Sequence, residues 1–229
     1  MMALPHIAAD ALGGMLPPER TAVVVIDIQV DFAAPDGKAA QWGLPLDGVE
    51  AMIDRSSEVV TAARAAGYPI VWLRVITSPE TDLNALSLRL ERRGQPGGEA
   101  LCRRDETGAN YYRLFPETGD IEIEKTLYDG FHNTDLDAQL RGCGIDTLIL
   151  LGMTTECCVI ATAQTAFHNN YNVFVVSDAT CSYDPVMHER ALYLMEENTA
   201  LLADTASVVR VMTTSDKNEG ALAQDQSAV

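Results

Sequence analysis

Residues Thr21 to Gln29 read TAVVVIDIQ, a run of β-branched and other apolar side chains that ends in an acid and an amide. An apolar run without polar alternation is typical of a parallel strand that is buried on both faces of a sheet. Asp27 lies at the carboxyl end of this predicted strand, where a buried carboxylate is unfavourable unless it has a partner. From this residue alone, Asp27 could be either a catalytic acid or a structural acid that caps the following turn.

Similar apolar runs recur along the chain and alternate with segments of helical periodicity. Five further strands are predicted at 69–75, 121–125, 147–151, 172–177 and 206–211, with helices at 49–66, 134–141, 156–169 and 185–198 and a helical turn near 83–92. Strands that alternate with helices predict a three-layer α/β/α, Rossmann-like fold with a six-stranded, mainly parallel sheet. In such a fold the functional residues lie at the carboxyl ends of the strands.

One long segment, 77–119, interrupts this alternation with scattered prolines, glycines and charges. A long irregular excursion in a compact domain usually covers a site, so we expect this segment to act as a lid. We therefore predict a single domain over 1–212 with a covering excursion, and a mobile, polar tail over 213–229.

Composition excludes several classes of partner. The 229 residues carry 33 acidic and 16 basic side chains, a formal charge of -17, which repels nucleic acid and anionic lipid. We find neither a membrane span nor the basic start of a signal peptide. An odd number of cysteines, five, without scaffold-like spacing predicts reduced thiols and a cytoplasmic protein.

Three reactive side chains, Asp27, Lys125 and Cys158, fall at strand ends or at the helix start just beyond one. Cys158 lies in GMTTECCV, residues 152–159, where a thiol in the first helical turn is close to the positive end of the helix dipole. Taken singly, Cys158 could be a small buried hydrophobe and Lys125 a solvated charge. Because strand ends converge on one rim, an acid, an ammonium and a thiol could share one pocket, as nucleophilic cysteine catalysis requires. The adjacent Cys157 would point about 100° away on an α-helix, so we assign it to the core.

The same residues carry a family resemblance. Asp27 in VVIDIQVDF, Lys125 in EIEKTLYDGFHNTDL and Cys158 in LLGMTTECCVIATAQTAF resemble the motifs of the isochorismatase-like cysteine hydrolases, in the same order. This resemblance covers about residues 21–211 and implies a Rossmann-like sheet with Asp27, Lys125 and Cys158 as the catalytic triad. It also implies a cis peptide between Met153 and Thr154, and an oxyanion hole formed by the backbone N–H groups of Thr154 and Cys158.

The activity implied by the resemblance is cofactor-free hydrolysis of a C–N bond in a small carbamoyl, ureido or carboxamide substrate, with a thioester intermediate and release of ammonia. Nicotinamidases in this family hold a metal on an aspartate and histidines, whereas VITSPETDLN has Asp82 and no histidine, so we predict no metal. The resemblance also implies a homo-oligomer, either a dimer or a tetramer.

Further residues are assigned around the triad. Candidate substrate contacts are Phe32, Trp72, Phe131 and Asn133, with the Tyr111-Tyr112 pair on the excursion as additional wall residues. Gln29 and Asp31 are expected to organise the turn that positions Asp27, and Thr155 to brace the oxyanion loop.

Two other functions stay open at this stage. Isochorismatases proper cleave a vinyl ether with the acid and lysine and without the cysteine, so retention of Cys158 favours C–N hydrolysis. A thiol redox or binding protein that uses the Cys157-Cys158 pair is the alternative from a different class, but it leaves Asp27 and Lys125 without a role.

Overall fold

One six-stranded sheet forms the centre of the computed structural model, which describes residues 5–214. Its strands are β1 (Thr21–Ile26), β2 (Ile70–Val75), β3 (Ile121–Lys125), β4 (Thr147–Met153), β5 (Asn172–Cys181) and β6 (Leu201–Ala203). Their order is β3-β2-β1-β4-β5-β6, and every neighbouring pair is parallel. The prediction of a mainly parallel six-stranded sheet is confirmed.

Helices and turns connect the strands. The helices up to the last strand are α1 (Ala9–Leu12), α2 (Val30–Ala33), α3 (Lys38–Gln41), α4 (Val49–Ala65), α5 (Asn84–Arg92), α6 (Leu136–Gly142), α7 (Ile160–His168) and α8 (Pro185–Asn198). A 3₁₀ turn, Thr107–Ala109, and a π-helical turn, Thr155–Val159, complete the connections. Between residues 5 and 214, no helix combines the length and the apolar character needed to cross a bilayer.

Helices cover both faces of the sheet, because alternate side chains of each strand point to opposite faces. Along β1, Val23 and Val25 pack with α4 on one face. Ala22, Val24 and Ile26 pack with α6, α7 and α8 on the other. All six residues of β1 are buried, as the uninterrupted apolar run predicts. The three-layer arrangement follows directly from this two-sided burial.

The last predicted strand is wrong. Residues 205–214 are helical, and the sixth strand is the shorter segment Leu201–Ala203. Val208, Val211 and Met212 are buried in the core, and their spacing of three and four residues is that of one helix face. The predicted mobile tail is also corrected at its start, since 213 and 214 continue this helix. The rest of the predicted tail, 215–229, lies outside the described residues.

The strand order reverses between β1 and β4, which places a crevice at their carboxyl ends. Gly152 makes this close pairing possible, because a Cβ added there would lie 2.1 Å from the Ile26 carbonyl oxygen. Its φ of 111° also lies in a region that other residues rarely adopt. The β1 and β4 ends are therefore held together immediately before the residues that line the crevice.

Candidate active site

Asp27 follows β1 and turns the chain out of the sheet. Its φ is 52°, a left-handed conformation that is uncommon for residues other than glycine. Its N–H donates to the Leu73 carbonyl at 3.0 Å, and its own carbonyl accepts from the Gln29 N–H at 2.9 Å. The strand consequently ends at Ile26 rather than at Gln29, and the Asp27 side chain is buried with 1% exposure.

Lys125, the last residue of β3, reaches Asp27 across the strand ends. Its Nζ donates to Asp27 Oδ2 at 2.6 Å and to the Leu127 carbonyl at 2.9 Å. The lysine side chain is 0% exposed, so the two opposite charges form a buried pair. Burial raises the pKa of Asp27, while the charge of Lys125 and a hydrogen bond from Cys158 oppose that rise. For Lys125, burial acts to lower the pKa, but attraction to Asp27 and Cys158 outweighs it and raises the pKa.

Cys158 completes the group from the π-helical turn that follows β4, and 6% of it is exposed. A hydrogen bond with the Cys157 thiol, burial and the charge of Asp27 raise the pKa of Cys158 well above 9.0, and Lys125 opposes them. The resting thiol is therefore protonated near neutral pH. Within residues 5–214, Asp27 Oδ1 accepts no hydrogen bond of good geometry, and the Cys158 thiol is the neighbouring donor that lowers the Asp27 pKa. Oδ1 is thus the oxygen available to take the thiol proton.

The assignment of Cys157 to the core alone is corrected. Cys157 packs partly against the core, but it also lines the same cavity as Cys158 and hydrogen bonds to its thiol. The reason is local, because residues 155–159 form a π-helical turn rather than an α-helical one, and a wider turn separates neighbouring side chains less. The peptide between Met153 and Thr154 is cis, as the resemblance implies.

These reactive groups open into a cavity of about 600 Å³ between the strand ends and the excursion. Three classes of residue line it. The strand ends and their loops contribute Asp27, Phe32, Val75, Thr77, Thr126, Leu127, Tyr128, Met153, Thr154, Cys157, Cys158 and Tyr183. The excursion contributes Leu86, Leu90, 94–99 and Leu101, and the loop after α3 contributes Trp42 and Leu44.

Several predicted substrate contacts lie elsewhere. Phe32 lines the cavity, whereas Trp72, Phe131 and Asn133 do not. Trp72 is fully buried and donates its Nε1–H to Asp120 at 2.8 Å. Phe131 packs in the core with its ring centroid 5.7 Å from that of Tyr171. Asn133 is exposed, and its amide contacts the neighbouring histidine at 3.1 Å. These three assignments as substrate contacts are therefore corrected.

The Tyr111-Tyr112 pair also lies outside the cavity lining. Both rings pack partly against the core. Their hydroxyls donate to Glu122 and Glu50 at 3.0 and 3.3 Å, respectively. The aromatic residues that do reach the cavity from beyond the strand ends are Tyr128 and Tyr183. Tyr128 was recognisable in principle, because it lies three residues after Lys125 at the end of a predicted strand.

Gln29 ties the excursion to the sheet. Its Nε2 donates to the carbonyls of Val75 and Ala109, both at 2.9 Å, and its Oε1 accepts from the Val75 N–H at 2.8 Å. One buried amide thus joins the end of β2 to the far end of the excursion. The Gln29 backbone N–H lies in the Asp27 turn and donates to the Asp27 carbonyl, whereas its side chain joins β2 to the excursion.

Asp31 makes a second connection of the same kind. Its buried carboxylate accepts from the backbone N–H of Cys102 at 2.7 Å and from that of Lys38 at 3.4 Å. The excursion comes so close that a Cβ at Gly108 would lie 2.3 Å from the Asp31 carboxylate. Asp31 therefore secures both the excursion and the loop that carries Trp42 and Leu44.

Thr155 is braced from α8. Its Oγ1 lies 2.8 Å from Nδ1 of His188, and the threonine is fully buried. Burial lowers the pKa of His188, so the ring is neutral near neutral pH and can share a hydrogen bond with the hydroxyl. His188 was not among the predicted site residues, because its contact with Thr155 joins positions that are far apart in sequence.

Residues 5–214 contain no group of three or more histidine, cysteine or acidic side chains arranged to hold a metal ion. Asp82, the acid in VITSPETDLN, forms a two-pronged ion pair with Arg103, with both N–O distances at 2.6 Å.

Comparison with known proteins places this geometry in a family. Residues 21–207 match the isochorismatase domain model, so the chain belongs to the isochorismatase family. It is 33% identical to ureidoacrylate amidohydrolase RutB of Methylobacterium radiotolerans over 205 residues, which cover 84% of this chain and 79% of that protein. It is 31% identical to the RutB of Azorhizobium caulinodans, over 78% of this chain and 84% of that one.

Solved structures of related proteins share the architecture. A cysteine hydrolase from Pseudomonas syringae superimposes with a TM-score of 0.74 at 26% identity, covering 87% of this chain and 95% of that one. N-carbamoylsarcosine amidase from Thermoplasma acidophilum superimposes with a TM-score of 0.64 at 26% identity, covering 81% and 96% of the two chains.

Proposed function

We propose that the protein is a cysteine-dependent amidohydrolase that cleaves a non-peptide C–N bond in a small linear amide or ureide. The observation that carries this proposal is the buried Asp27–Lys125 pair, 2.6 Å apart, beside the Cys158 thiol at one end of the cavity. The matched relatives named ureidoacrylate amidohydrolase and N-carbamoylsarcosine amidase support the reaction class. Asp27, Lys125 and Cys158 are the proposed catalytic residues.

The first step uses the resting protonation states. Because the pKa of Cys158 is raised, a free thiolate is a minor species and a base must remove the proton during attack. Asp27 Oδ1 takes that proton, and burial, which raises the pKa of Asp27, makes it a better base. Cys158 Sγ then bonds to the carbonyl carbon. Lys125 keeps Asp27 ionised until the transfer and compensates the charge of the site afterwards.

The carbonyl oxygen becomes an oxyanion in the tetrahedral intermediate. We assign the backbone N–H groups of Thr154 and Cys158 to bind it, because both lie where β4 gives way to the π-helical turn. Thr154 caps this turn, and its own carbonyl accepts from the N–H groups of Cys157 and Val159 at 3.1 and 3.2 Å. An oxyanion-hole donor typically contributes about 3 to 4 kcal/mol to transition-state stabilisation.

Collapse of this intermediate breaks the C–N bond. Protonated Asp27 gives its proton to the leaving nitrogen, which departs as ammonia, and a thioester remains on Cys158. Water then attacks the thioester carbonyl while Asp27 takes a proton from it. The C–S bond breaks, the acid product leaves, and Asp27 returns the proton to the Cys158 sulfur. All proton transfers thus use one carboxylate, so no external acid or base is required.

The test is ammonia release from a panel of small amides and ureides by wild-type protein and by Cys158→Ala. The expected result is turnover by the wild type and loss of at least about 10³-fold in kcat/KM in the variant. Cys143→Ala is the matched control, because it removes an exposed thiol outside the cavity lining, and it should retain the wild-type activity. Turnover that survives in Cys158→Ala would overturn the proposal, and pyruvate release from isochorismate by that variant would favour the vinyl-ether reaction.

The same family assignment supports two properties of the whole molecule. We assign a homo-oligomer, a dimer or tetramer, for which the exposed apolar side chains of α8, including Tyr193 and Leu194 at 47% and 52% exposure, offer contact surface. We also assign a cytoplasmic location, with which five free cysteine thiols agree. Light scattering on the purified protein tests the first, and a monomer at all concentrations would contradict it.

A further inference from the structure

The cavity is divided into a reactive floor and an apolar wall. Asp27, Thr154 and Cys158 lie on the floor. From the excursion, Leu86 and Leu90, which are one helical turn apart on α5, line the cavity together. No side chain of α5 is fully buried, so this helix presents its leucines to the cavity rather than to the core.

Large apolar side chains continue this wall at the mouth. Trp42 and Leu44 line the cavity, yet they are 49% and 37% exposed. Phe32, Tyr128 and Tyr183 extend the same surface toward the strand ends. The Tyr183 hydroxyl already donates to the Phe32 carbonyl at 2.7 Å, so this residue offers its ring rather than its polar end. A ligand of this site would cover mostly apolar surface.

The charge of the lining has one sign. Among the described residues, the charged side chains that line the cavity are Asp27 and Glu99, and no lysine or arginine does so. Lys125 lies beneath the floor and is already paired with Asp27. Three cations lie nearby without lining the cavity: Lys38 donates to the Ala100 carbonyl, Arg89 is exposed on α5, and Arg103 is paired with Asp82. A substrate carboxylate would therefore enter beside two acidic side chains and lack a cationic partner.

Glu99 adds a specific polar contact to this wall. Its Oε2 is buried and has no hydrogen-bond partner among residues 5–214, and the residue lines the cavity. A buried carboxylate oxygen without a donor is unfavourable. A ligand N–H or ammonium at this position would satisfy it. Arg103, whose charge also acts on this region, is bound to Asp82 through both prongs.

We infer that the substrate is a primary amide or ureide with a bulky apolar body, no carboxylate, and an amine or N–H donor that binds Glu99 on the excursion. This inference rests on the proposed amidohydrolase function and specifies its substrate class. The inferred substrate differs from that of the relatives named ureidoacrylate amidohydrolase, because that name describes a ureide that bears a carboxylate.

Three amides of matched length test the charge preference: hexanamide, 6-aminohexanamide and the monoamide of adipic acid, with 4-phenylbutanamide as a bulkier apolar probe. The kcat/KM for ammonia release should follow the order amine-bearing, neutral, carboxylate-bearing, with the carboxylate compound at least about tenfold below the neutral one. The phenyl compound should exceed hexanamide. A carboxylate compound that is turned over best would overturn the inference.

Two variants with matched controls locate the preference. The selectivity ratio is kcat/KM for 6-aminohexanamide divided by kcat/KM for hexanamide, and it should fall about tenfold in Glu99→Gln. Glu91 is an exposed acid of α5 that does not line the cavity, so Glu91→Gln should leave this ratio unchanged. Leu90→Ala should raise KM for 4-phenylbutanamide about tenfold. Leu88→Ala, on the same helix and 39% exposed, should not. An unchanged ratio in Glu99→Gln would overturn the role of Glu99.

Binding separates this inference from the proposed function. The four compounds are also titrated calorimetrically into Cys158→Ala, which keeps the cavity. If no compound is turned over by the wild type but affinities follow the predicted order, the amidohydrolase proposal fails and the substrate-class inference stands. If the wild type turns over the carboxylate compound best, the amidohydrolase proposal stands and the substrate-class inference fails. Affinities without preference for the amine-bearing compound would refute the inference whatever the turnover.

Discussion

Replacing Lys125 with methionine tests the central electrostatic feature of the site. The substitution keeps a long apolar stem but removes the ammonium that lies 2.6 Å from Asp27 Oδ2, where the two side chains are 0% and 1% exposed. Removing one partner of a buried ion pair typically lowers the free energy of unfolding by about 3 to 5 kcal/mol, because the remaining carboxylate must either stay charged without a partner or take up a proton. We expect a loss in that range at neutral pH.

The pH dependence follows from the direction of the pKa shift. Burial raises the pKa of Asp27 above its ordinary value of 3.8. At pH values between that ordinary pKa and the raised native pKa, Asp27 is therefore protonated in the native state and ionised in the unfolded state. Stability due to this group is present below pH 3.8 and is lost as pH rises through the native pKa. Without the Lys125 charge the native pKa rises further. The stability deficit of Lys125→Met should therefore grow from acidic to neutral pH.

Activity should fall with the same substitution, because a protonated Asp27 cannot accept the Cys158 proton. We expect a loss of at least about 10²-fold in kcat/KM at neutral pH, measured as ammonia release. Urea unfolding at several values between about pH 5 and about pH 8 measures the stability. Arg210→Met is a matched control, because Arg210 and Asp10 are also 2.6 Å apart but 60% and 95% exposed, so its effect should be much smaller. Wild-type stability and activity in Lys125→Met would refute the reasoning.

Other substitutions probe the supporting structure. Gly152→Ala places a Cβ 2.1 Å from the Ile26 oxygen and should destabilise by about 3 kcal/mol or more in thermal unfolding. Gly142→Ala, with open space around its Cβ, should not destabilise the fold. Gln29→Ala removes three buried hydrogen bonds and should lower stability by about 2 to 4 kcal/mol. An unchanged midpoint of thermal unfolding in Gln29→Ala would contradict the role of Gln29 in joining the excursion to the sheet. His188→Ala removes the hydrogen-bond partner of Thr155 and should lower kcat more than it changes KM. His188→Asn should retain more activity than His188→Ala. Equal kcat in the wild type and both variants would exclude a positioning role for His188.

The sheet and the reactive triad were accessible from the sequence for one physical reason. Buried parallel strands are uniformly apolar, so β1, β2 and β4 stand out, and the mixed strand β3 follows them in the same alternation of strands and helices. The reactive groups lie at or just after the ends of β1, β3 and β4, and these ends converge on one rim. Asp27, Lys125 and Cys158 could therefore be brought together without knowing any distance. The predicted position of Cys157 is wrong, because residues 155–159 form a π-helical turn and nothing in TECCV distinguishes that turn from an α-helical one.

Other errors arose where a local pattern fits two structures. Residues 206–211 are rich in valine, which favours a strand. Val208, Val211 and Met212 also fit one face of a helix, and these three side chains are buried in the core. Packing of that face against the core therefore favours the helix. Trp72 was assigned to the pocket because it lies near a strand end, but alternation along β2 turns it toward the core. The cavity wall was beyond prediction, since only the path of the excursion brings Leu86, Leu90 and Glu99 to the cavity that Cys158 lines.

The tethers at Gln29 and Asp31 divide the excursion into parts of unequal local stability. Its final section is secured by the Cys102 and Ala109 backbone contacts, whereas α5 contains no buried residue and is followed by exposed positions 94–97. In native-state hydrogen exchange, 84–98 should open in small local fluctuations while 100–112 exchanges together with the sheet. New wall residues could therefore be tried in 84–98 at little cost to the folding of the centre that performs the chemistry, which gives this chain a route to new substrates through the excursion alone.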